Sequence, residues 1–462
     1  MLRTVTLLAA LAAVIAAAQA PQRRAVSLVV TNGTVVTVDA ARRVIANGAV
    51  AIDGRDIVAV DTASAVAAAY RGRDTIDAAG AVVMPGLINT HTHAPMVLFR
   101  GLADDLALMD WLQKYIFPAE AKTVTPAFVR AGTRLAALEM IESGTTTYAD
   151  MYYFEEEIAR VTKAAGLRGV LGETIIQFPV PDAKTPAEGL ARTERFAREF
   201  AGDDLITAAV APHAMYTLDA ETLKAGRALA DRLRIPVIIH LAETADEVRT
   251  AQEKYRATPT AFLDSLGFWA GRTLAAHGVH LTPADIGILA ARGVGVAHNP
   301  ESNMKLASGI APVEAMRAAG IAVGLGTDGA ASNNDLDMFE AMRQAAFLHK
   351  LKDGNPRAIP APVALEMATL GGARAMGMDK TIGSLEPGKR ADVLIVSMAS
   401  ARQTPMYDPV SHLVYVTRGD DVRTTIVNGK VLMRDRKVLT LDAAQVLAEA
   451  RAFAGQVRAA VR

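Results

Sequence analysis

Two textures of hydrophobic and polar positions divide this chain. Near its start, short β-like runs (Ser27–Val30, Thr34–Val38, Ala49–Ile52 and Ile57–Val60) are punctuated by Asn32-Gly33 and Asp53-Gly54. Such dipeptides supply the positive φ angles of tight hairpins. The texture returns in Ala391–Val396 and Thr424–Met433, around Asn428-Gly429. Neither piece is large enough for a core of its own. The pattern therefore predicts that residues 24–84 and 383–440 meet in one small β-sandwich, with a helix over 441–462.

Between these pieces, apolar runs of four to eight residues alternate with amphipathic stretches, the pattern of parallel βα units. In Ala127 to Ser143, for example, Phe128, Ala131, Leu135, Leu138 and Ile141 recur at helical spacing before Gly144. The strand candidates are Val82–Asn89, Thr145–Asp150, Leu167–Thr174, Leu205–Val210, Pro236–His240, Thr273–His277, Val294–His298 and Ile321–Thr327. Eight such units predict an α/β fold, a (βα)8 TIM-type barrel over residues 85–382, with its active face at the C-terminal ends of the strands.

Composition narrows the function. Lys+Arg and Asp+Glu both total 49, so the chain lacks the electrostatic footprint of a nucleic-acid binder. There is no cysteine, which excludes disulfides, thiolate metal sites and a cysteine nucleophile. Met1-Leu2-Arg3 followed by the apolar run Val5 to Ala18 and Ala18-Gln19-Ala20 predicts a signal peptide over residues 1–20 and export to the periplasm. An uncleaved N-terminal anchor is the alternative. No other stretch is long and apolar enough to span a membrane. Homo-oligomerisation is left open.

The barrel rule then gathers chemistry. His91 and His93 follow the first strand candidate, His213 follows the fourth, and His240, His277 and His298 end the fifth, sixth and seventh. Asp328 follows the eighth. Two imidazoles two residues apart on an extended segment can reach one metal. His91, His93, His240 and Asp328 form a set suited to Zn²⁺ with a place left for water, although ligand type alone does not distinguish Fe²⁺ or Mn²⁺.

This constellation resembles the amidohydrolase superfamily from about Ser27 to Arg436, including the run Gly383 to Asp392 where that family re-enters its sandwich. The fourth strand, Leu205 to Val210, lacks the lysine of two-metal members, so the resemblance implies one metal. Within the superfamily, His91–Pro95, Pro118-Ala119-Glu120, Ala211-Pro212-His213, His240–Thr244, Ala275-Ala276-His277, His298–Leu306 and Gly326–Asn334 are similar to the deaminases of 5′-methylthioadenosine and S-adenosylhomocysteine. Triazine hydrolases and guanine- or pterin-like deaminases share much of the pattern.

The expected chemistry is hydrolytic deamination, with ammonia leaving and an inosine-type product. Zinc lowers the pKa of bound water to about 7. Asp328 would accept the water's proton and His277 would orient the attack. Glu243 would protonate a ring nitrogen and then pass a proton to the leaving ammonia. The resemblance implies that Glu120 binds ribose hydroxyls and that His213 contacts substrate near the metal. Glu173 stands where those deaminases commonly have an arginine, which predicts repulsion of a substrate carboxylate and disfavours S-adenosylhomocysteine. Arg168 lies near it in sequence. His298 is expected to orient the following loop or touch a leaving group, and His280, His349 and His412 to be structural or exposed. Trp111 and Phe117, in the long loop after the first strand, are read as ordinary packing more readily than as a cleft wall. Two other readings fit the same residues: hydrolysis at another heteroaromatic ring (guanine-, pterin- or triazine-like), and an exported binding protein without turnover.

Overall fold

The structure is a computed structural model that describes residues 23–461. The predicted signal peptide lies outside these described residues. Eight parallel strands form the barrel: β1 (Leu87–Thr92), β2 (Thr145–Tyr152), β3 (Arg168–Ile175), β4 (Ile206–Pro212), β5 (Val237–Leu241), β6 (Thr273–His277), β7 (Gly295–His298) and β8 (Val323–Leu325). Each pairs with its sequence neighbour. The seam between β8 and β1 is bridged mostly by side chains: Thr90 Oγ1 donates to the Leu325 carbonyl (2.8 Å) and Asn89 Nδ2 to Thr327 Oγ1 (2.7 Å). The Asp328 N–H adds a bond to the His91 carbonyl (2.9 Å).

Side-chain alternation sorts the strands into two layers. Ile88, Ala149, Met151, Val170, Ala209, Ala211, Ile238, Leu274 and Ala297 fill the barrel, together with Ala373, Ala375 and Met376. Their sequence neighbours, among them Tyr148, Leu171, Val210, Ile239 and Val296, pack in the larger core with the surrounding helices. The helix predicted from Ala127 runs Pro126–Ser143, opened by the Thr125 cap and closed by Gly144 at φ +90°.

Strands from both ends of the chain meet in one mixed nine-stranded sheet around a shared core that includes Val30, Val50, Ile57, Val83, Val393 and Ile426. Two local expectations change. Asn32-Gly33 is not a hairpin turn: Arg24–Val36 is one strand, and Asn32 at φ +58° marks an irregularity in its pairing. The first strand candidate also divides. Val82–Pro85 joins the mixed sheet and Leu87–Thr92 the barrel, with Gly86 between them. A Cβ on Gly86 would lie 2.0 Å from Thr146 Oγ1, so only glycine fits that crossing. Asp53-Gly54 and Asn428-Gly429 are turns, as predicted. The C-terminal helix runs Ala443–Ala460. No helix of the described residues is long and apolar enough to cross a membrane.

Candidate metal and substrate site

Alternation decides which rim residues face inward, and backbone exceptions supply the rest. His240 shares the phase of Ile238 and so faces the interior at the top of β5. His277 is out of phase with Leu274, but its φ of +73° turns it toward the centre. Asp328 leaves β8 at φ +63°. Non-glycine residues held there cost roughly 1–3 kcal/mol each, a strain that collects at functional sites.

These placements bring His91, His93 and His240 together, with ligand atoms within 4.8 Å of one another, and likewise His91, His277 and Asp328. His93 Nδ1 lies 2.6 Å from the Met151 carbonyl and His240 Nδ1 lies 2.8 Å from the His213 carbonyl. A carbonyl only accepts, so each Nδ1 carries the proton and each Nε2 presents a lone pair. Those two Nε2 atoms are 3.3 Å apart. Asp328 Oδ1 lies 3.4 Å from His91 Nε2 and 3.3 Å from His93 Nε2. Both ring nitrogens of His91 are buried without a hydrogen-bond partner. Lone pairs crowded on one point with a carboxylate beside them fit a cation. Burial pushes His91 down to about 4. At His93 the Asp328 carboxylate outweighs burial and raises the ring to about 9, so the protein alone draws a proton to the place a metal ion suits.

Beside this cluster, His277 Nδ1 donates to Asn303 Oδ1 (2.9 Å), leaving Nε2 3.8 Å from Glu243 Oε2 and 3.9 Å from Asp328 Oδ2. Burial pushes the Glu243 carboxyl up, toward the protonated form. Asp328 accepts from the Ser302 hydroxyl (2.7 Å) and the Gly329 N–H (2.8 Å). Its histidine neighbours hold it well below the usual carboxylate range, against the effect of burial.

His93, His240, Glu243, His277 and Asp328 line a cleft of about 580 Å³. One wall is apolar, built by Leu108, Trp111, Leu112, Ile116 and Phe117 from a largely helical segment. Glu120, from the same segment, is 4 % exposed and accepts from Tyr152 (2.8 Å) and Tyr153 (3.4 Å). Burial pushes its carboxyl up to about 7. His213 also lines the cleft. Its Nδ1 meets Thr217 Oγ1 (3.1 Å), and burial, then the neighbouring histidines, push the ring down to about 3, so it is neutral.

The profile of the amidohydrolase family matches residues 82–432. The chain belongs to the amidohydrolase family. It is 47% identical over 93% of its length to the 5-methylthioadenosine/S-adenosylhomocysteine deaminase of Syntrophobacter fumaroxidans, covering 98% of that protein. It is 46% identical, with the same two coverages, to the 5′-deoxyadenosine deaminase of Methanosarcina barkeri. An adenosine deaminase from Xanthomonas campestris, solved with bound zinc, superposes with a TM-score of 0.93 at 40% identity, over 95% of this chain and all of that one.

Several expectations change in this amidohydrolase. Glu173 shares the phase of Leu171 and points away from the cleft, where Arg192 Nε donates to it at 2.7 Å. Thr174 lines the cleft instead. Arg168, at the start of β3, pairs with buried Asp392 far along the chain, and it is not among the cleft residues. His298 is out of phase with Ala297, turns outward and meets His349 (Nε2–Nε2 3.1 Å) rather than the cleft. His349 is buried; His280 bonds the Ser308 carbonyl, and His412 contacts the Asp408 carbonyl at the surface. Trp111 and Phe117 are cleft wall. Tyr152, Tyr153, Ser302 and Asn303 were not singled out from sequence. The tyrosines sit at the end of a barrel strand, where the same rim rule would have found them.

Proposed function

We propose that this amidohydrolase is a zinc-dependent deaminase of an adenine-type nucleoside, releasing ammonia and an inosine-type product. The observation that carries this reading is identity of 46–47% over nearly the whole chain to deaminases of that substrate class. His91, His93, His240 and Asp328 would hold one zinc ion, which supplies the Lewis acidity that makes water nucleophilic near neutral pH.

The protein's own groups account for the proton traffic. The Asp328 carboxylate accepts the proton that water loses as its oxygen joins the amine-bearing ring carbon. Glu243 delivers its proton to the adjacent ring nitrogen, relieving the aromatic ring of the developing charge. It then takes the proton of the newly added hydroxyl, which becomes the carbonyl oxygen, and passes it to the amine. The amine leaves as ammonia when the C–N bond breaks, and the proton held by Asp328 restores Glu243. His277, fixed by Asn303, orients the oxygen between these two carboxyl groups. His213, neutral, contacts the ring. Glu120, held by two tyrosines, binds the ribose hydroxyls.

The cleft also ranks substrates within the class. Its lining includes no lysine or arginine among the described residues, and its long wall is apolar. Lys254 lines a separate outer hollow. Uncharged 5′ ends, as in 5′-methylthioadenosine, 5′-deoxyadenosine or adenosine, suit this wall better than the charged tail of S-adenosylhomocysteine. The cause is the cleft lining, since Glu173 faces away from it. Metal analysis followed by an ultraviolet screen of these nucleosides, guanine and pterins tests the reading. We expect one zinc per chain and turnover of adenine nucleosides, with kcat/KM higher for methylthioadenosine than for S-adenosylhomocysteine. Turnover of guanine or pterins alone would overturn it. Export of the protein is proposed from residues 1–20 only, and sequencing the mature N-terminus after expression tests it.

A further inference from the structure

The turn that carries Glu243 has no ladder of its own. Leu241 ends β5, the helix Ala245–Tyr255 begins three residues after Ala242, and Ala242 between them is held at φ +47°. Two carbonyls of the turn are tied to the next loop: Leu241 accepts from the Gly278 N–H (3.0 Å) and Ala242 from the His280 N–H (2.9 Å). The N–H groups of Ala242 and Glu243 converge on a single carboxylate, Glu247, at 3.0 Å to Oε1 and 2.9 Å to Oε2. Successive N–H groups around a left-handed residue form an anion-binding nest.

Glu247 is the third residue of that helix, and its N–H donates to the Thr244 cap at 3.2 Å. An acid in this place ordinarily reaches back to the N–H of the cap residue itself. Here it reaches past Thr244 to the two residues before it. The side chain is buried, and each carboxylate oxygen is used on this turn.

We propose that Glu247 is a positioning residue for deamination: its carboxylate holds the Ala242–Glu243 backbone in the left-handed turn that aims the Glu243 carboxyl into the cleft. The inference rests on Glu243 being the proton carrier. It is tested by steady-state kinetics on the zinc-loaded full chain with 5′-methylthioadenosine. Glu247→Ala should lower kcat about a hundredfold, the scale of an ångström-sized misplacement, with KM within about threefold and bound zinc unchanged. Glu247→Gln keeps one acceptor and should lose only about tenfold, the scale of one hydrogen bond. In a Glu243→Gln background, Glu247→Gln should cost nothing further. Wild-type kcat in both single variants, or loss of zinc in step with kcat, or a full additional loss in the Glu243→Gln background, would overturn the proposal. If Glu247→Ala does not fold, Glu247→Gln and the double variant decide it. Wild-type turnover by Glu243→Gln would instead remove the acid on which the inference depends.

Discussion

At the scale of single residues, the site depends on proton placement. Burial pushes the Glu243 carboxyl up beside His277 and Asp328, whereas the histidines hold Asp328 well below the usual carboxylate range. Two carboxyl groups a few ångströms from one imidazole are thus shifted in opposite directions, as the proposed donor and acceptor roles require. Glu243→Gln keeps the shape and loses the transferable proton, so kcat should fall by about 10²–10⁴-fold while bound zinc stays the same, as read by kinetics and metal analysis. Glu120 is held differently, by two phenols. Removing both in Tyr152→Phe/Tyr153→Phe leaves its carboxylate without fixed donors. KM for a nucleoside should rise about tenfold, with a smaller change for a base lacking ribose.

At the scale of elements, the rim rule was legible in sequence because histidines at strand ends are a strong signal. What it could not give was phase. Glu173 and His298 both lie at strand ends, yet each is one residue out of step with its inward neighbours and turns to the helices. His277 is out of step too, and only its positive φ returns it to the centre. Neither a strand's exact register nor a left-handed histidine is written in hydrophobic periodicity. Glu247 was visible in principle, since Thr244-x-x-Glu247 has capping-box spacing, but where its carboxylate would reach was not. The short helix Pro300–Lys305 carries a partly exposed acid in an acidic neighbourhood. Burial, then Asp335 and Glu340, push Glu301 up to about 9. An acid raised in the folded state binds more protons there than in the unfolded chain, so its contribution is lost as pH rises from about 4.5 toward 9. Glu301→Gln should therefore be more stable than wild type at pH 7.5, by up to about 4 kcal/mol, with the difference vanishing near pH 4. Denaturant unfolding at the two pH values measures it.

At the scale of the whole molecule, the barrel closes where the site is built. Asn89 and Thr327 bridge the seam between β1 and β8, and His91 and Asp328 flank the same seam. A metal ion shared by β1, β5 and β8 would tie it further. Zinc at a thousandfold excess over its Kd would stabilise the fold by about 4 kcal/mol, so chelation should lower Tm by several degrees and zinc should restore it. Protons compete for the same histidines, so this gain should shrink as pH falls. The barrel and the union of the two chain ends were readable because both follow from long periodic segments. The division of the first strand at Gly86 was not, because it depends on how closely Thr146 approaches. The cleft is proposed to deaminate an adenine nucleoside with the help of a metal held by three histidines and an aspartate. The most direct measurement is ammonia released per 5′-methylthioadenosine consumed, by the zinc-loaded and the chelated protein. We expect one ammonia per nucleoside with zinc bound, and none after chelation until zinc is returned. Full zinc occupancy without ammonia, or undiminished release from metal-free protein, would contradict it.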